Sequence, residues 1–219
     1  MPVHDWAKVD VGLFHHFHQM WTCALCDALN GGLLPPGYSA LIEFQRNEAE
    51  HDAPRTDAQS YAARANLIGV RTRAGGLHAA LEVVSPGNKD CRESLRALVA
   101  KTLTFLARGV HVLIVDPLPP TLQDPNGIHG AIWDAVRDNA YTPPPDRPLT
   151  LASYVAASEY TAYVEAVAIG QPLPDIPLFV DAHIYVIVPL EATYLRTWDV
   201  SPKQFKEMVL HPERFPDVD

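Results

Sequence analysis

"LEVVSPGNKDCRESLRALVAKTLTFLARGVHVLIVD", residues 81–116, decides how the rest of the chain is read. It opens as an apolar strand, breaks at Ser85-Pro86-Gly87-Asn88, and resumes with helical spacing. Leu95, Leu98, Val99, Thr102, Phe105 and Leu106 fall on one face of that helix. Asp90 reads as its N-cap, with Glu93 as the capping-box partner, and Gly109 as its stop. "VHVLIVD" follows, an almost continuous apolar run of the kind a strand shows when both its faces are buried. It ends at Asp116 before prolines 117, 119 and 120. So short a strand–helix–strand unit predicts adjacent parallel strands over residues 78–84 and 111–115, joined by a crossover helix over 90–107. One residue does not suit a buried strand: Glu82.

Working outward, residues 14–29 place Phe14, Phe17, Trp21, Leu25 and Ala28 three or four apart, which predicts a helix with one apolar face. Asn30-Gly31-Gly32 stops it. A strand is predicted over 38–44. Residues 46–65 read as a loop, with a short helical turn near 58–65. "NLIGVRT" and "HAALEVV" flank a Gly-Gly turn and predict a hairpin. Up to residue 116 the order is helix, three strands, helix, strand. Asn126 is expected to cap a short helix reaching about residue 137. "TPPPDRP", residues 142–148, reads as a stiff linker. Beyond it lie "LTLASYV", the strand-like "TAYVEAVAI", a proline-punctuated stretch to Asp181, a strand "IYVIV" and a helix over 190–198. The expectation is a core over residues 1–141, the linker, and an extension over 149–219 packed on the same body. The core holds a mixed sheet of four strands.

Composition narrows the function classes. The chain has 219 residues, is 47% hydrophobic and carries a formal net charge of −9. An acidic surface opposes nonspecific nucleic-acid binding at long range. Three cysteines make no disulfide framework. No cationic and apolar leader opens the sequence, and no apolar run approaches the roughly 18 residues of a membrane span. A reduced, cytoplasmic protein is expected.

The segment 81–116, with "HDWAKVDVGLFHHFHQMW", "LNGGLLPPGYSAL", "PLPDIPLFVD" and "VPLEATY", resembles the bacterial domain-of-unknown-function family 4058. More distantly, a strand carrying Glu-Val-x-Ser-Pro, a helix with a lysine, and a Gly-Val before a buried strand ending in Asp-Pro are similar to the Uma-type endonucleases. Those belong to the PD-(D/E)XK nuclease-like superfamily. The resemblance implies an α/β, nuclease-like αβββαβ core and phosphodiester hydrolysis assisted by Mg²⁺ or Mn²⁺, with nucleic acid as partner. Glu82 matches the second acidic position. Val84 stands where the signature lysine belongs, so Lys101, on the following helix, is the implied substitute, and Lys89 the nearer alternative. "NLIGVRT" holds no acid, which leaves Asp57 or Glu43 for the first acidic position.

The chemistry needs these residue types together. A divalent cation held by one or two carboxylates polarises a phosphate and acidifies its bound water, and a lysine offsets the developing charge. The competing reading is structural: Glu82 paired with Lys89 or Lys101, in a catalytically inactive relative acting as a binding or scaffold protein. Lys89 is favoured by reach, because a helix returning along the sheet carries Lys101 away from Glu82. Asp116 ends its strand where α/β sheets bind ligands, but an aspartate there also makes turns. His15 and His18, three apart, with His4 upstream, lack zinc-type spacing to further ligands. Cys23 and Cys26 form C-x-x-C inside a helix and read as buried thiols. Arg92, Arg96, Lys101 and Arg108 spread around their helix as a solvated face.

Overall fold

The computed structural model describes residues 3–44, 66–137 and 141–215. It is a mixed α/β fold built on one six-stranded mixed sheet in the order β1-β2-β3-β4-β5-β6. These strands are β1 (Tyr38–Phe44), β2 (Asn66–Thr72), β3 (Leu77–Val83), β4 (His111–Asp116), β5 (Leu149–Val155) and β6 (Thr161–Val167). A separate hairpin of β7 (Ile176–Asp181) and β8 (Ile184–Val188) packs through β7 on β3, β4 and β5. Among the described residues there are five α-helices: α1 (Val11–Ala28), α2 (Arg92–Ala107), α3 (Gly127–Val136), α4 (Leu190–Val200) and α5 (Lys203–Leu210).

The crossover forms as the apolar pattern predicts. β3 and β4 are the one parallel pair among these strands, in register from Ala79 opposite His111 to Val83 opposite Val115, with α2 between them in the chain. All six residues of β4 are buried. The β2–β3 turn closes through Thr72 N–H to Gly76 O at 3.1 Å, and Gly75 takes φ 86°, which a glycine adopts without a Cβ penalty. The cap of α2 differs from expectation. Cys91 is the extended residue before the first turn, and its Sγ accepts from Ser94 N–H, so Asp90 lies one residue too early. The expected helical turn within 46–65 lies outside the described residues.

The sheet buries both faces. Leu67, Ala80 and Val110 pack with Leu77 and Phe105, which places α2 over the face that carries the even-numbered residues of β3. α3 packs against α2 and β5. Ala79, Leu81 and Val83 join a larger core with Phe14, Phe17, Trp21 and Leu25 of α1 and Tyr194 and Trp198 of α4. α1 starts on an Asp10 cap, whose Oδ1 accepts from Leu13 N–H at 3.1 Å.

Three features go beyond the expected four-stranded core. The proline-punctuated stretch to Asp181 forms β7, which pairs with β8 from Ile176 opposite Val188, Pro177 included. β5 pairs with Val112–Asp116 of β4, and β6 pairs with β5 along its whole length, so both strands beyond the proline-rich segment extend the same sheet. A further helix, α5, follows Ser201-Pro202, with Phe205 and Val209 four apart on its buried side. That spacing is readable in the sequence, though over only eight residues.

Candidate functional site

Glu82 points from β3 toward α2 and is 4% exposed. Lys101 Nζ donates to its Oε1 at 2.5 Å. The expectation that the returning helix would carry Lys101 out of reach is therefore wrong, and the reason is a match of rises. Phe105 packs by Ala80. Four residues back along the helix is about 6 Å, and two residues forward along the strand is about 6.6 Å. Lys101 thus stands over Glu82 as Phe105 stands over Ala80. The Lys101 side chain is 22% exposed, so the pair has one side toward water.

Lys89, preferred on reach, goes elsewhere. Ser85-Pro86-Gly87-Asn88 folds into a single tight turn in which Ser85 N–H and Oγ both donate to Asn88 Oδ1 at 2.9 Å. The turn sends the Lys89 side chain across the carboxyl ends of β3 and β4. There its Nζ donates to Asp116 Oδ2 at 2.9 Å, Leu118 O at 3.1 Å and Pro119 O at 3.0 Å. Asp124 Oδ2 also lies 2.9 Å from it. An ammonium has three N–H bonds. With four oxygens around it, Asp124 Oδ2 is left at ionic distance without an aligned hydrogen bond. All three side chains are 2% exposed or less.

The electrostatics follow from that crowding. Burial pulls the Lys89 pKa down, but Asp116 and Asp124 outweigh it, and the net direction is up. Burial raises Asp116, against the pull of Lys89. Burial pushes Asp124 up to about 6. Asp116 also makes the turn expected of a strand-ending aspartate, its Oδ1 accepting from Leu118 N–H at 3.2 Å. Nothing in the sequence singles out Asp124, which sits in an Asp-Pro-Asn-Gly turn signal; its burial is created by the loop folding back onto Lys89.

Of the two acids offered for the first position, Asp57 lies outside the described residues. Glu43 lies on β1 opposite Leu67, with β2 between it and β3. Its carboxylate is clamped by Arg71, with Nε to Oε1 at 2.5 Å and Nη2 to Oε2 at 3.1 Å. It lies over Gly69, where an added Cβ would sit 2.6 Å from Oε1. Glu43 and Glu82 therefore occupy the same face, two strand spacings of roughly 4.8 Å apart, each with its own cation. Among the described residues no group of three or more His, Cys, Asp and Glu side chains is placed to hold a metal ion. The described donors do not fit the Mg²⁺ or Mn²⁺ centre that the resemblance implies: one acid is taken by Lys101 and the other by Arg71.

His4 and His18 are committed too. His18 is fully buried, and its Nε2 donates to Val83 O at 2.8 Å. His4 Nδ1 meets the Tyr194 hydroxyl at 2.5 Å and its ring stacks on Trp198 at 4.0 Å. Burial lowers the pKa of each to about 4. Cys26 is buried as expected, whereas Cys23 is exposed. Arg92, Arg96 and Arg108 face solvent, and only Lys101 turns inward. Compared with family models, curated proteins and solved structures, the chain matches none.

Proposed function

We propose that this chain is a catalytically inactive relative of the PD-(D/E)XK nuclease fold that acts as a binding or scaffold protein. The observation that carries this reading is Lys101 Nζ at 2.5 Å from Glu82 Oε1, in the position a divalent cation would need. A buried carboxylate requires a positive partner, and here a side chain supplies it. The helix–strand order and the parallel β3–β4 crossover agree with the fold resemblance. Val84 in place of the signature lysine agrees with the loss of chemistry, since its side chain is apolar and buried in the core.

The competing reading is a Mg²⁺- or Mn²⁺-dependent nuclease in which Lys101 swings out, Asp57 or Glu43 completes the metal site, and Lys101 or Lys89 serves the phosphate. Calorimetric Mn²⁺ titration of wild type and Glu82→Gln, beside cleavage assays on single- and double-stranded DNA with Mg²⁺ or Mn²⁺, separates the two. The inactive reading expects the same metal isotherm from both proteins and no cleavage by either. Cleavage by wild type that Glu82→Gln abolishes, with a matching loss of Mn²⁺ binding, overturns it.

A further inference from the structure

The loop between β4 and α3 contains two Asp-Pro bonds, Asp116–Pro117 and Asp124–Pro125, and both aspartate side chains reach the same lysine. An Asp-Pro bond carries its own means of cleavage. The carboxyl can close a five-membered ring on its own main-chain carbonyl, a step that needs no second molecule, and the basic proline nitrogen departs. The fold treats the two bonds differently. The Asp116 carboxylate is tied at both oxygens, by Lys89 Nζ and by the Leu118 N–H, and the Ile128 N–H donates to it as well. Asp124 Oδ2 lies 2.9 Å from Lys89 Nζ without an aligned hydrogen bond. The Asp124 main-chain oxygen accepts from two backbone N–H groups, Thr121 at 3.1 Å and Gly127 at 3.3 Å. Gly127 takes φ 73°, which a glycine adopts without a Cβ penalty. Two N–H donors on one carbonyl oxygen are the arrangement that stabilises a tetrahedral oxyanion. Asp124 is buried, whereas Pro125, on the leaving side of the bond, is exposed.

We propose that Asp124–Pro125 is a self-cleaving bond, with the Asp124 carboxyl as nucleophile and the Thr121 and Gly127 N–H groups as its oxyanion donors. An oxygen of the carboxyl bonds to the Asp124 carbonyl carbon, and the carbonyl oxygen takes up charge against the two N–H groups. The bond from that carbon to the Pro125 nitrogen then breaks. Its electron pair stays on nitrogen, which receives the carboxyl proton. The products are a cyclic anhydride at Asp124 and a free secondary amine at Pro125. Water opens the anhydride to two carboxyl groups, so the sum is hydrolysis of one peptide bond by one water. Burial supports the step, because it holds the Asp124 pKa at about 6 and so keeps the proton that an ordinary aspartate has lost at that pH. Two charged groups face the carboxyl: Lys89, from the turn before α2, draws its pKa down, and Asp116, at the end of β4, pushes it up. The cut would free the loop from α3, which anchors its far end. The proposal stands whether or not the Glu82 pair is catalytically silent.

Holding the purified chain for days at a pH of about 6, with intact-mass spectrometry and N-terminal sequencing, tests it. The expected products are fragments 1–124 and 125–219, together one water heavier than the intact 24.1 kDa chain, with Pro125 as the new N-terminus. Cleavage at Asp124–Pro125 should exceed that at Asp116–Pro117 by at least about 100-fold, the scale of an oxyanion contribution, and unfolding in urea should abolish the preference. Pro125→Ala changes an exposed residue and supplies a poorer leaving nitrogen; it should slow the cut at least about tenfold while circular dichroism stays unchanged. Asp124→Ala removes the nucleophile and should stop it. A native chain that stays intact overturns the proposal. So does equal cutting at the two bonds, a preference that persists in urea, or a cut that either variant leaves as fast as in wild type.

Discussion

Lys89 and Lys101 each neutralise acid beside the central strands, yet their surroundings differ. Lys89 is sealed, with two carboxylates and two carbonyls around one ammonium. Lys101 has one carboxylate and keeps part of its stem in water. The difference teaches where the fold is committed. At the carboxyl ends of β3 and β4, where an α/β sheet ordinarily opens to ligand, the chain has closed the space with its own ion network. At Glu82 the closure is a single lysine at the end of a flexible stem.

The largest expected effect breaks the sealed cluster. Lys89→Met leaves Asp116 and Asp124 buried without a cation and should cost about 3–5 kcal/mol, read from urea unfolding at neutral pH. Lys101→Met should cost less, about 1–3 kcal/mol, because water reaches the site. Adding Glu82→Gln to Lys101→Met should recover most of that loss, since the uncompensated charge is then gone. If Lys101→Met proves as damaging as Lys89→Met, the contrast between the two lysines fails.

Acid sharpens the comparison next. His4, His18 and His129 are each lowered to about 4 by burial. They remain neutral in the fold but protonate once unfolded, so the stability they carry is complete above about pH 6.5 and is lost as pH falls toward 4. Asp124 has the opposite sign. Its pKa is raised to about 6, so the folded form takes up its proton first and stability is returned as pH falls through 6. Asp116, also raised by burial, acts in the same direction as Asp124; three imidazoles outweigh the two carboxylates, and the melting temperature should drop between pH 7 and 4.5. Asp124→Asn removes part of the offset and should make that drop steeper by calorimetry. The smallest effect concerns the Glu43–Arg71 pair. Gly69→Ala pushes the Glu43 carboxylate off its place beside Arg71 and should cost no more than about 1 kcal/mol, because the pair is part-exposed and its side chains can shift.

The crossover was legible in residues 81–116 because period and punctuation coincide there: a buried run, a Ser-Pro-Gly-Asn break, a helical face and a second buried run. The burial of Glu82 with a cationic partner was legible for the same reason, as an acid inside an apolar strand must be paired. Which lysine paired it was not. That depended on the level at which the helix lies against the strand, a distance set by Phe105 meeting Ala80, and no linear spacing records it. The joining of β5 and β6 to the main sheet was hidden by "TPPPDRP", which reads as a boundary although the chain crosses it and resumes pairing with β4. Asp124 was hidden more deeply, since a turn signal carries no sign of what the turn will cover.

The first helix and the last third of the chain are bound together. Trp21 Nε1 donates to Thr193 Oγ1 at 3.0 Å, Phe17 packs on Tyr194 with ring centroids 4.9 Å apart, and Val3 pairs through its backbone with Gly170 and Gln171. During synthesis at roughly 5–20 residues per second, Trp21 must wait on the order of 10–30 s for Thr193 to be made. For that interval the aromatic stripe Phe14, Phe17 and Trp21 lacks the α4 half of its packing.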